Sequence, residues 1–205
     1  MSIYERYIFP RIVDKIMQSK PIRIQRSKVV PLAEGRILEI GIGSGLNLAY
    51  YDKGKLEKLW GLDPSAELRV FAERRAMETG IDVEFIGLTG EDIPLEAASV
   101  DTVLVTYTLC TIPDPIAALR EMRRVLRPGG RLVYTEHGLA PDENVRRWQN
   151  RLNGFWAKIA GGCNLNRDIP ALLAQTDFRS ESAETMYIPG LKPMSFNYWG
   201  TATPG

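Results

Sequence analysis

The apolar residues of this chain fall into short runs rich in β-branched side chains, separated by longer segments with helical spacing. Short apolar runs bounded by turn residues predict β-strands. The run at 100–106 is nearly continuous in β-branched residues, which is typical of a central parallel strand covered on both faces. The predicted strands are 36–40, 58–62, 83–87, 100–106, 131–136, 181–187 and 196–202.

Segments with apolar residues three and four positions apart predict helices between these strands. Pro10 should interrupt or kink the first of them. Ser65 is a suitable N-cap for the third, and the sequence Arg127-Pro128-Gly129-Gly130 should end the fourth. The predicted helices are 3–18, a short one from a glycine loop to about residue 51, 65–79, 116–126, 144–159 and 169–175.

Alternating strands and helices predict one α/β domain over residues 1–205, built on a doubly wound, mostly parallel sheet. Residues 1–30 would form a helical arm or lid and 36–138 the ligand-binding core. Residues 139–205 would add helices and a final hairpin around the turn-rich connection IPGLKPM. Ligands of such sheets bind at the carboxyl ends of the strands, so functional residues are expected in the loops that follow them.

Composition limits the function classes. The chain has 205 residues, 26 Lys+Arg against 25 Asp+Glu, and a net charge of +1, so no basic excess predicts a nucleic-acid partner. No apolar run approaches the roughly 18 residues of a membrane span, and the first residues are charged, so we expect a cytoplasmic protein without an integral span. Cys110 and Cys163 are far apart in sequence and His137 is the single histidine, which predicts neither a disulfide nor a metal site.

The stretch LEIGIGSGLN, residues 38–47, ends a strand in three glycines set two apart. Glycine permits a sharp turn and lets a ligand approach the backbone, although a tight turn without a ligand is an alternative. A dinucleotide site would require a glycine where the chain has Leu46. Instead Glu39 precedes the loop, and Asp63 ends the next strand, where a carboxylate can bind a ribose diol. The pattern favours a nucleoside without a pyrophosphate, although Asp63 before Pro64 could also simply initiate a turn.

Four segments in register carry a resemblance to a known family: the E-x-G-x-G-x-G loop, GLDPS, GEDIPLEAASVDTV and ALREMRRVLRPGGRLVYTEHG. Over residues 38–138 the chain resembles class I S-adenosylmethionine-dependent methyltransferases of the type 11 (UbiE-like) group. The resemblance implies a seven-stranded Rossmann-like sheet with an antiparallel last strand. It also implies S-adenosyl-L-methionine as cofactor and S-adenosyl-L-homocysteine as product.

The resemblance assigns cofactor contacts by position. The three glycines would line the methionine part, Asp63 would bind the ribose hydroxyls and Pro64 would flank the adenine. Asp92 would accept a hydrogen bond from the adenine amino group. Glu39 would contact the glycine loop or the cofactor's amino group from beneath. On their own, the acids of the 91–93 segment read as solvated loop residues. The implied cofactor-binding residues are Glu39, Gly41, Gly43, Gly45, Asn47, Asp63, Pro64, Glu91, Asp92, Ile93 and Tyr107.

Candidate acceptor-side residues follow the fourth and fifth strands. Tyr107 and Thr108 should lie over the cleft, where Tyr107 is a candidate catalytic residue, and His137 is a candidate base or acceptor-orienting group. Arg167 is a candidate charge that favours an anionic acceptor such as a thiolate. A structural, hydrogen-bonded role for His137 is an equal alternative. Cys110 is expected to be a buried apolar residue, because methyl transfer from a sulfonium needs no covalent enzyme intermediate.

The segment 161–168, with sequence GGCNLNRD, resembles the thiol methyltransferase branch related to mammalian membrane-associated methyltransferase-like proteins. It also resembles bacterial phospholipid and quinone methyltransferases. The mammalian branch has a long apolar N-terminal anchor, whereas about 35 residues precede the first strand here. We therefore expect at most peripheral membrane contact, for which the arginines at 120, 123, 124 and 127 are a candidate face, although such a face is usually only solvated.

The leading hypothesis is methyl transfer from S-adenosylmethionine to a small lipophilic acceptor, with a thiol favoured. N- or C-methylation of a phospholipid or quinone-like acceptor is the main alternative. A non-catalytic sensor of the cofactor or its product is the alternative from another class. Aromatic residues outside the core motifs could form a lid over a lipophilic molecule or complete the core. They are Tyr4, Tyr7, Phe9, Trp148, Phe155, Trp156, Tyr187, Phe196 and Trp199.

Overall fold

A seven-stranded sheet forms the centre of the computed structural model, which describes residues 9–205. Its strands are β1 Gly35–Ile40, β2 Leu56–Leu62, β3 Glu84–Ile86, β4 Val100–Thr106, β5 Leu126–His137, β6 Phe178–Tyr187 and β7 Phe196–Pro204. Their order across the sheet is β3-β2-β1-β4-β5-β7-β6. The first five strands are parallel and β7 pairs antiparallel with β5 and β6, which confirms the predicted sheet.

The strand order reverses its direction between β1 and β4. β2 follows β1 on one side, whereas β4 pairs with β1 on the other side, with Ile40 beside Val105. The loops after β1 and β4 therefore diverge at this point and leave a crevice at the carboxyl ends of the strands. All seven residues of β4 are buried, as the nearly continuous β-branched run predicts for a strand covered on both faces.

Seven α-helices flank this sheet within residues 9–205. They are α1 Phe9–Met17, α2 Lys20–Val29, α3 Ala66–Thr79, α4 Pro115–Val125, α5 Glu143–Ile159, α6 Ile169–Gln175 and α7 Lys192–Ser195. Ser65 is the N-cap of α3, where its hydroxyl accepts the backbone N–H of Leu68, as predicted. The short α7 lies within the connection between β6 and β7.

The predicted helix after the glycine loop is wrong. Residues 41–50 form successive turns, in which the N–H groups of Gly45, Leu48 and Tyr50 each bond the carbonyl three residues earlier. The predicted start of β5 at 131 is also wrong, because the strand begins at Leu126 and the Pro128-Gly129-Gly130 segment belongs to it. A register shift in the β4–β5 pairing accommodates these residues, so they interrupt the ladder without ending it.

The arm predicted at 1–30 corresponds to α1 and α2 for the part that the structure describes. Pro10 lies near the described start of α1, and the helix continues past it to Met17. Asp14 of α1 forms an ion pair of 2.8 Å with Arg75 of α3, which holds α1 against the body. The lid aromatics Tyr4 and Tyr7 lie outside the described residues. Across residues 9–205, the helices are too short or too polar to cross a membrane.

Candidate functional site

A cavity of about 390 Å³ opens at the carboxyl ends of β1, β2 and β4. This is where the reversal of strand order predicts a ligand. α1, α2 and the end of α5 complete the wall. The lining residues are Pro10, Val13, Met17, Arg26, Ile40, Gly41, Ile42, Gly43, Ser44, Leu46, Leu62, Asp63, Pro64, Ser65, Leu68, Thr89, Gly90, Glu91, Thr106, Tyr107, Thr108, Thr111, Ile112, Pro113, Ala160 and Gly161.

The glycines of the loop have different tasks. All three have φ between +52° and +76°, which L side chains rarely adopt. A methyl carbon built on Gly41 would overlap Thr108 across the cavity wall. One built on Gly45 would lie 2.9 Å from the Cα of Ala72, so this glycine lets α3 pack closely and does not line the cavity. Gly41 and Gly43 line it, as expected for a cofactor-binding loop.

Asp63 connects the loops after β1 and β2. One carboxylate oxygen accepts the backbone N–H of Gly43 at 2.9 Å, and the other accepts that of Ser65 at 2.8 Å. Burial raises the pKa of Asp63 and these two hydrogen bonds oppose the rise. Each oxygen retains acceptor capacity toward the cavity. Asp63 therefore shapes a turn, which was the alternative role given to it from the sequence. Its carboxylate also lines the cavity, where it could bind a ribose diol.

A buried polar network lies beneath the glycine loop. Glu39 accepts hydrogen bonds from Tyr51 at 2.6 Å and Asn47 at 2.8 Å. Asn47 also accepts one from Arg26 at 2.6 Å. Neither Glu39 nor Asn47 lines the cavity, so these two predicted cofactor residues lie behind the loop and support it.

Arg26 of α2 is the cation of this network. Its Nη1 donates to Asn47 and, at 2.8 Å, to the hydroxyl of Thr106. Its Nε is buried without a hydrogen-bond partner, and no carboxylate of residues 9–205 forms an ion pair with it. Burial lowers its pKa, an effect that Tyr107 and Glu39 partly offset. A buried guanidinium that borders a cavity and has no ion-pair partner among the described residues fits an anionic group of a ligand.

We predict that Glu39→Gln reduces the pH dependence of stability. Burial raises the pKa of Glu39 to about 7, against 4.5 for an unperturbed glutamate. The folded state therefore holds this proton more tightly, and the carboxyl's contribution to the free energy of unfolding is lost as pH rises from about 4.5 to 7. The loss is on the order of 3 kcal/mol. Urea unfolding of both proteins at about pH 5 and pH 8 measures it. Equal pH dependence in the two proteins would contradict the prediction.

The loop after β4 is held by Glu136 of β5. This fully buried carboxylate accepts the backbone N–H groups of Thr108 at 2.6 Å and Leu109 at 3.0 Å. Tyr107 has a φ of +56°, a strained value for a bulky residue, and its hydroxyl donates to Asn197 at 2.7 Å. Burial raises the pKa of Tyr107, so its phenol stays neutral and cannot act as a base near neutral pH.

Two predicted catalytic residues lie behind the cavity wall. His137 and Arg167 are absent from the lining, although Thr111 and Gly161 in front of them belong to it. Nε2 of His137 is 3.0 Å from Sγ of Cys163, and the guanidinium of Arg167 donates to the carbonyl of Leu109. Burial alone would lower the pKa of His137, but the interaction with Cys163 raises it overall. The predicted base is therefore engaged by a cysteine in this structure.

The prediction from the cysteine spacing was incomplete. Cys110 and Cys163 are separated by 53 residues, yet their Sγ atoms lie 3.7 Å apart, and His137 lies beside them. The sequence separation gave no sign of this proximity, because it is α5 that brings the chain back to Cys110 before Cys163. The sulfur of Cys110 is buried, as predicted.

Of the remaining predicted cofactor residues, some line the cavity and others do not. Pro64 and Glu91 line the cavity, whereas Asp92 is exposed outside it and Ile93 is part of the core. The sequence did not indicate the roles of several residues that line the cavity or support its loops, notably Arg26, Thr106, Met17 and Glu136. Arg26 had no detectable signal, because its partners lie 21 and 80 positions away. Glu136 belongs to the EHG sequence at the end of a predicted strand. An acidic residue that directly follows an apolar run could have indicated its buried, loop-supporting role.

Comparison with known sequences gives consistent matches. A family described as "Methyltransferase domain" matches residues 38–134. Human thiol S-methyltransferase TMT1B is 33% identical over 165 residues, which cover 78% of this chain and 67% of that protein. Phosphatidylethanolamine N-methyltransferase of Cereibacter sphaeroides is 30% identical over 105 residues, 50% of this chain and 51% of that protein. The chain spans 56% to 67% of the length of the rat and human TMT1B proteins.

The fold has close counterparts among solved structures. A Thermotoga maritima protein described as a SAM-dependent methyltransferase and possible histamine N-methyltransferase superposes with a TM-score of 0.67. The match covers 98% of this chain and 99% of that one, at 22% identity. At this identity the similarity establishes the shared fold and leaves the acceptor open.

Proposed function

Because this chain belongs to the methyltransferase-domain family of S-adenosylmethionine-dependent methyltransferases, we propose that it methylates a small lipophilic acceptor, with a thiol as the preferred class. The observation that carries the proposal is the convergence of Gly41, Asp63 and Arg26 on one cavity at the reversal of strand order. The thiol preference rests on the similarity to the thiol S-methyltransferases.

The residues present fit S-adenosylmethionine. The Asp63 carboxylate would hold the ribose hydroxyls, and the guanidinium of Arg26, which borders the cavity, would meet the methionine carboxylate. Gly41 leaves the loop bare where a side chain would fill the space toward Thr108. When bound, the cofactor supplies an electrophilic methyl group on a sulfonium.

The protein's own contribution is positioning and exclusion of water. An in-line displacement requires the acceptor atom to be aligned within a dry pocket, and correct orientation can supply much of the acceleration. The acceptor-side wall has small and apolar residues, including Ile112, Pro113 and Gly161, and α1 adds Val13 and Met17. Such a wall favours a lipophilic molecule over a charged one. The acceptor thiol would react as its thiolate, because the thiolate is the nucleophilic form.

An acceptor panel tests the proposal. The chain is incubated with S-adenosylmethionine and, in separate reactions, aliphatic thiols, aryl thiols, amines, phenols and quinols, and products are identified by a mass gain of one methyl group. We expect methylated lipophilic thiols, and little product from a hydrophilic thiol of similar pKa. Methylation of amines or phenols with no thiol product would contradict the thiol preference.

A phospholipid amine is the second candidate acceptor, because the phosphatidylethanolamine N-methyltransferase is also a relative. Vesicles that contain phosphatidylethanolamine test it in the same panel, with phosphatidylcholine vesicles as the matched control. N-methylated lipid would favour this candidate. Tight cofactor binding without any methylated product would instead favour a non-catalytic sensor.

We predict that Arg26→Gln weakens binding of S-adenosylmethionine about 30-fold. A hydrogen-bonded charge pair contributes about 2 kcal/mol, which corresponds to that factor. Calorimetry measures it, with 5′-methylthioadenosine as a control ligand because it lacks the amino-acid part. Its affinity should change little. Arg23→Gln provides a matched variant with the same change of charge on an exposed position of α2. An equal loss of affinity for both ligands would show that Arg26 only supports the loop.

A further inference from the structure

Three potential metal ligands lie together behind the acceptor-side wall of the cavity. The cluster consists of Cys110 in the loop after β4, His137 at the end of β5 and Cys163 between α5 and α6. Every pair among the two Sγ atoms and a histidine ring nitrogen lies within 4.8 Å. Cys110 is buried, and the other two residues are partly exposed. The cluster has no part in cofactor binding as derived above.

The separations suit a tetrahedral ion. Zn–S bonds of about 2.3 Å and Zn–N bonds of about 2.0 Å place two sulfur ligands about 3.8 Å apart, and sulfur and nitrogen about 3.5 Å apart. The two Sγ atoms are 3.7 Å apart. Nε2 of His137 is 3.0 Å from Sγ of Cys163, so the ring would retreat by about 0.5 Å to admit the ion.

The hydrogen bond with Cys110 and burial raise the pKa of Cys163, so a metal ion would have to displace the thiol proton. Two neighbouring groups would stabilise the resulting thiolates. Nε1–H of Trp156 donates to Sγ of Cys163 at 3.4 Å, which is an outer hydrogen bond of the kind that orients a metal ligand. The half-buried guanidinium of Arg167 is close enough for favourable charge interaction with both cysteines. The backbone is also fixed here, because N–H of Asn164 donates to the carbonyl of Cys110 at 2.8 Å and Glu136 accepts the N–H of Cys110.

We propose that Cys110, His137 and Cys163 form a binding site for one thiophilic metal ion of the Zn²⁺ type. Thiolate and imidazole ligands select such ions over Mg²⁺ or Ca²⁺. Three protein ligands leave a fourth position for water. The ion would join the loop after β4 to the segment after α5, and these segments supply Thr111 and Gly161 to the cavity wall. It would therefore hold two parts of the acceptor-side wall in register.

Metal content tests the proposal directly. The chain is produced without a polyhistidine tag in zinc-supplemented medium, purified without chelator, and analysed by inductively coupled plasma mass spectrometry. We expect about one zinc per chain, and a loss of most of it in Cys110→Ser, Cys163→Ser and His137→Asn. Trp156→Phe is the matched control, because it removes an outer hydrogen bond and no ligand. It should retain stoichiometric zinc with an affinity about 10-fold lower.

Cobalt gives a readout that does not depend on metal acquired during expression. Co²⁺ added to the metal-free wild-type chain should produce a thiolate-to-cobalt charge-transfer band, which must come from this cluster because the chain has only two cysteines. A chelator should lower the melting temperature of the zinc-loaded wild type and leave that of Cys110→Ser unchanged. Substoichiometric zinc without a cobalt band would overturn the proposal. A Cys110–Cys163 disulfide would also overturn it. The disulfide would appear as a mass lower by two hydrogens and as the loss of both thiols that react with an alkylating reagent.

Discussion

Asp63→Ala is expected to weaken S-adenosylmethionine binding about 100-fold. A carboxylate that accepts two ribose hydroxyls contributes on the order of 3 kcal/mol, because hydrogen bonds to charged groups are about twice as strong as neutral ones. The substitution removes both acceptors from the cavity at once. Calorimetric titration with S-adenosylmethionine and with S-adenosylhomocysteine should show the same loss, since both carry the ribose.

Asp63 also shapes the turn before α3, so the binding effect must be separated from a folding effect. Asp63→Asn keeps one oxygen that can accept the N–H of Ser65 but loses a negative charge and an acceptor. It should fold nearly as stably as the wild type and still lose most of the affinity. Asp168→Ala is a matched control, because this aspartate likewise accepts a backbone N–H at a helix start but lies outside the cavity. It should lower stability by about 1 kcal/mol without changing cofactor affinity. Unchanged affinity in Asp63→Ala would exclude the ribose assignment.

Gly41→Ala is expected to abolish measurable cofactor binding at concentrations that saturate the wild type, and to lower the free energy of unfolding by about 3 kcal/mol. The new methyl group would lie 2.8 Å from Cβ of Thr108 and closer still to its hydroxyl and methyl. A φ of +70° adds strain for any side chain. The loop or the Thr108 backbone must shift to relieve the overlap, and both line the cavity.

Two comparisons separate these causes. Gly129 has a φ of +80° and open space around its missing Cβ, so Gly129→Ala measures the cost of backbone conformation alone, about 1 kcal/mol. Removing the obstructing side chain in Gly41→Ala/Thr108→Gly should restore part of the lost stability, which appears as coupling in a double-mutant cycle. Chemical denaturation of the wild type, the two single variants of the cycle, the double variant and Gly129→Ala provides the values. Equal destabilisation by Gly41→Ala and Gly129→Ala would show that close approach to Thr108 is unimportant.

The sequence predicted features whose causes are local. Ser65 caps α3 because a hydroxyl before a helical segment satisfies a free N–H, and that signal spans only four residues. The buried strand β4 followed from its own composition. The glycine spacing indicated a loop with positive φ at each glycine. It did not reveal that Gly45 serves helix packing, because Ala72 approaches from 27 residues further along the chain.

Features made by distant partners were missed. Arg26 becomes a cavity residue only when α2 meets the end of β4, which places Thr106 beside it. The helix predicted after the glycine loop fails for a related reason. Asn47 hydrogen-bonds to Glu39 and Arg26, and these tertiary bonds hold the segment in turns. The cysteine–histidine cluster joins two loops and the end of β5, and the spacing of these residues along the chain gives no sign that they are close in space.

Transfer of a deuterated methyl group would show whether this chain methylates a thiol. The wild-type chain, S-adenosylmethionine labelled with CD₃ on sulfur, and a lipophilic thiol are combined, and mass spectrometry follows both products. We predict a thioether that carries the intact CD₃ group and S-adenosylhomocysteine in equal amount, with greatly reduced formation of both by Asp63→Ala at subsaturating cofactor. Saturable cofactor binding with neither S-adenosylhomocysteine nor a labelled product from any acceptor would contradict the claim.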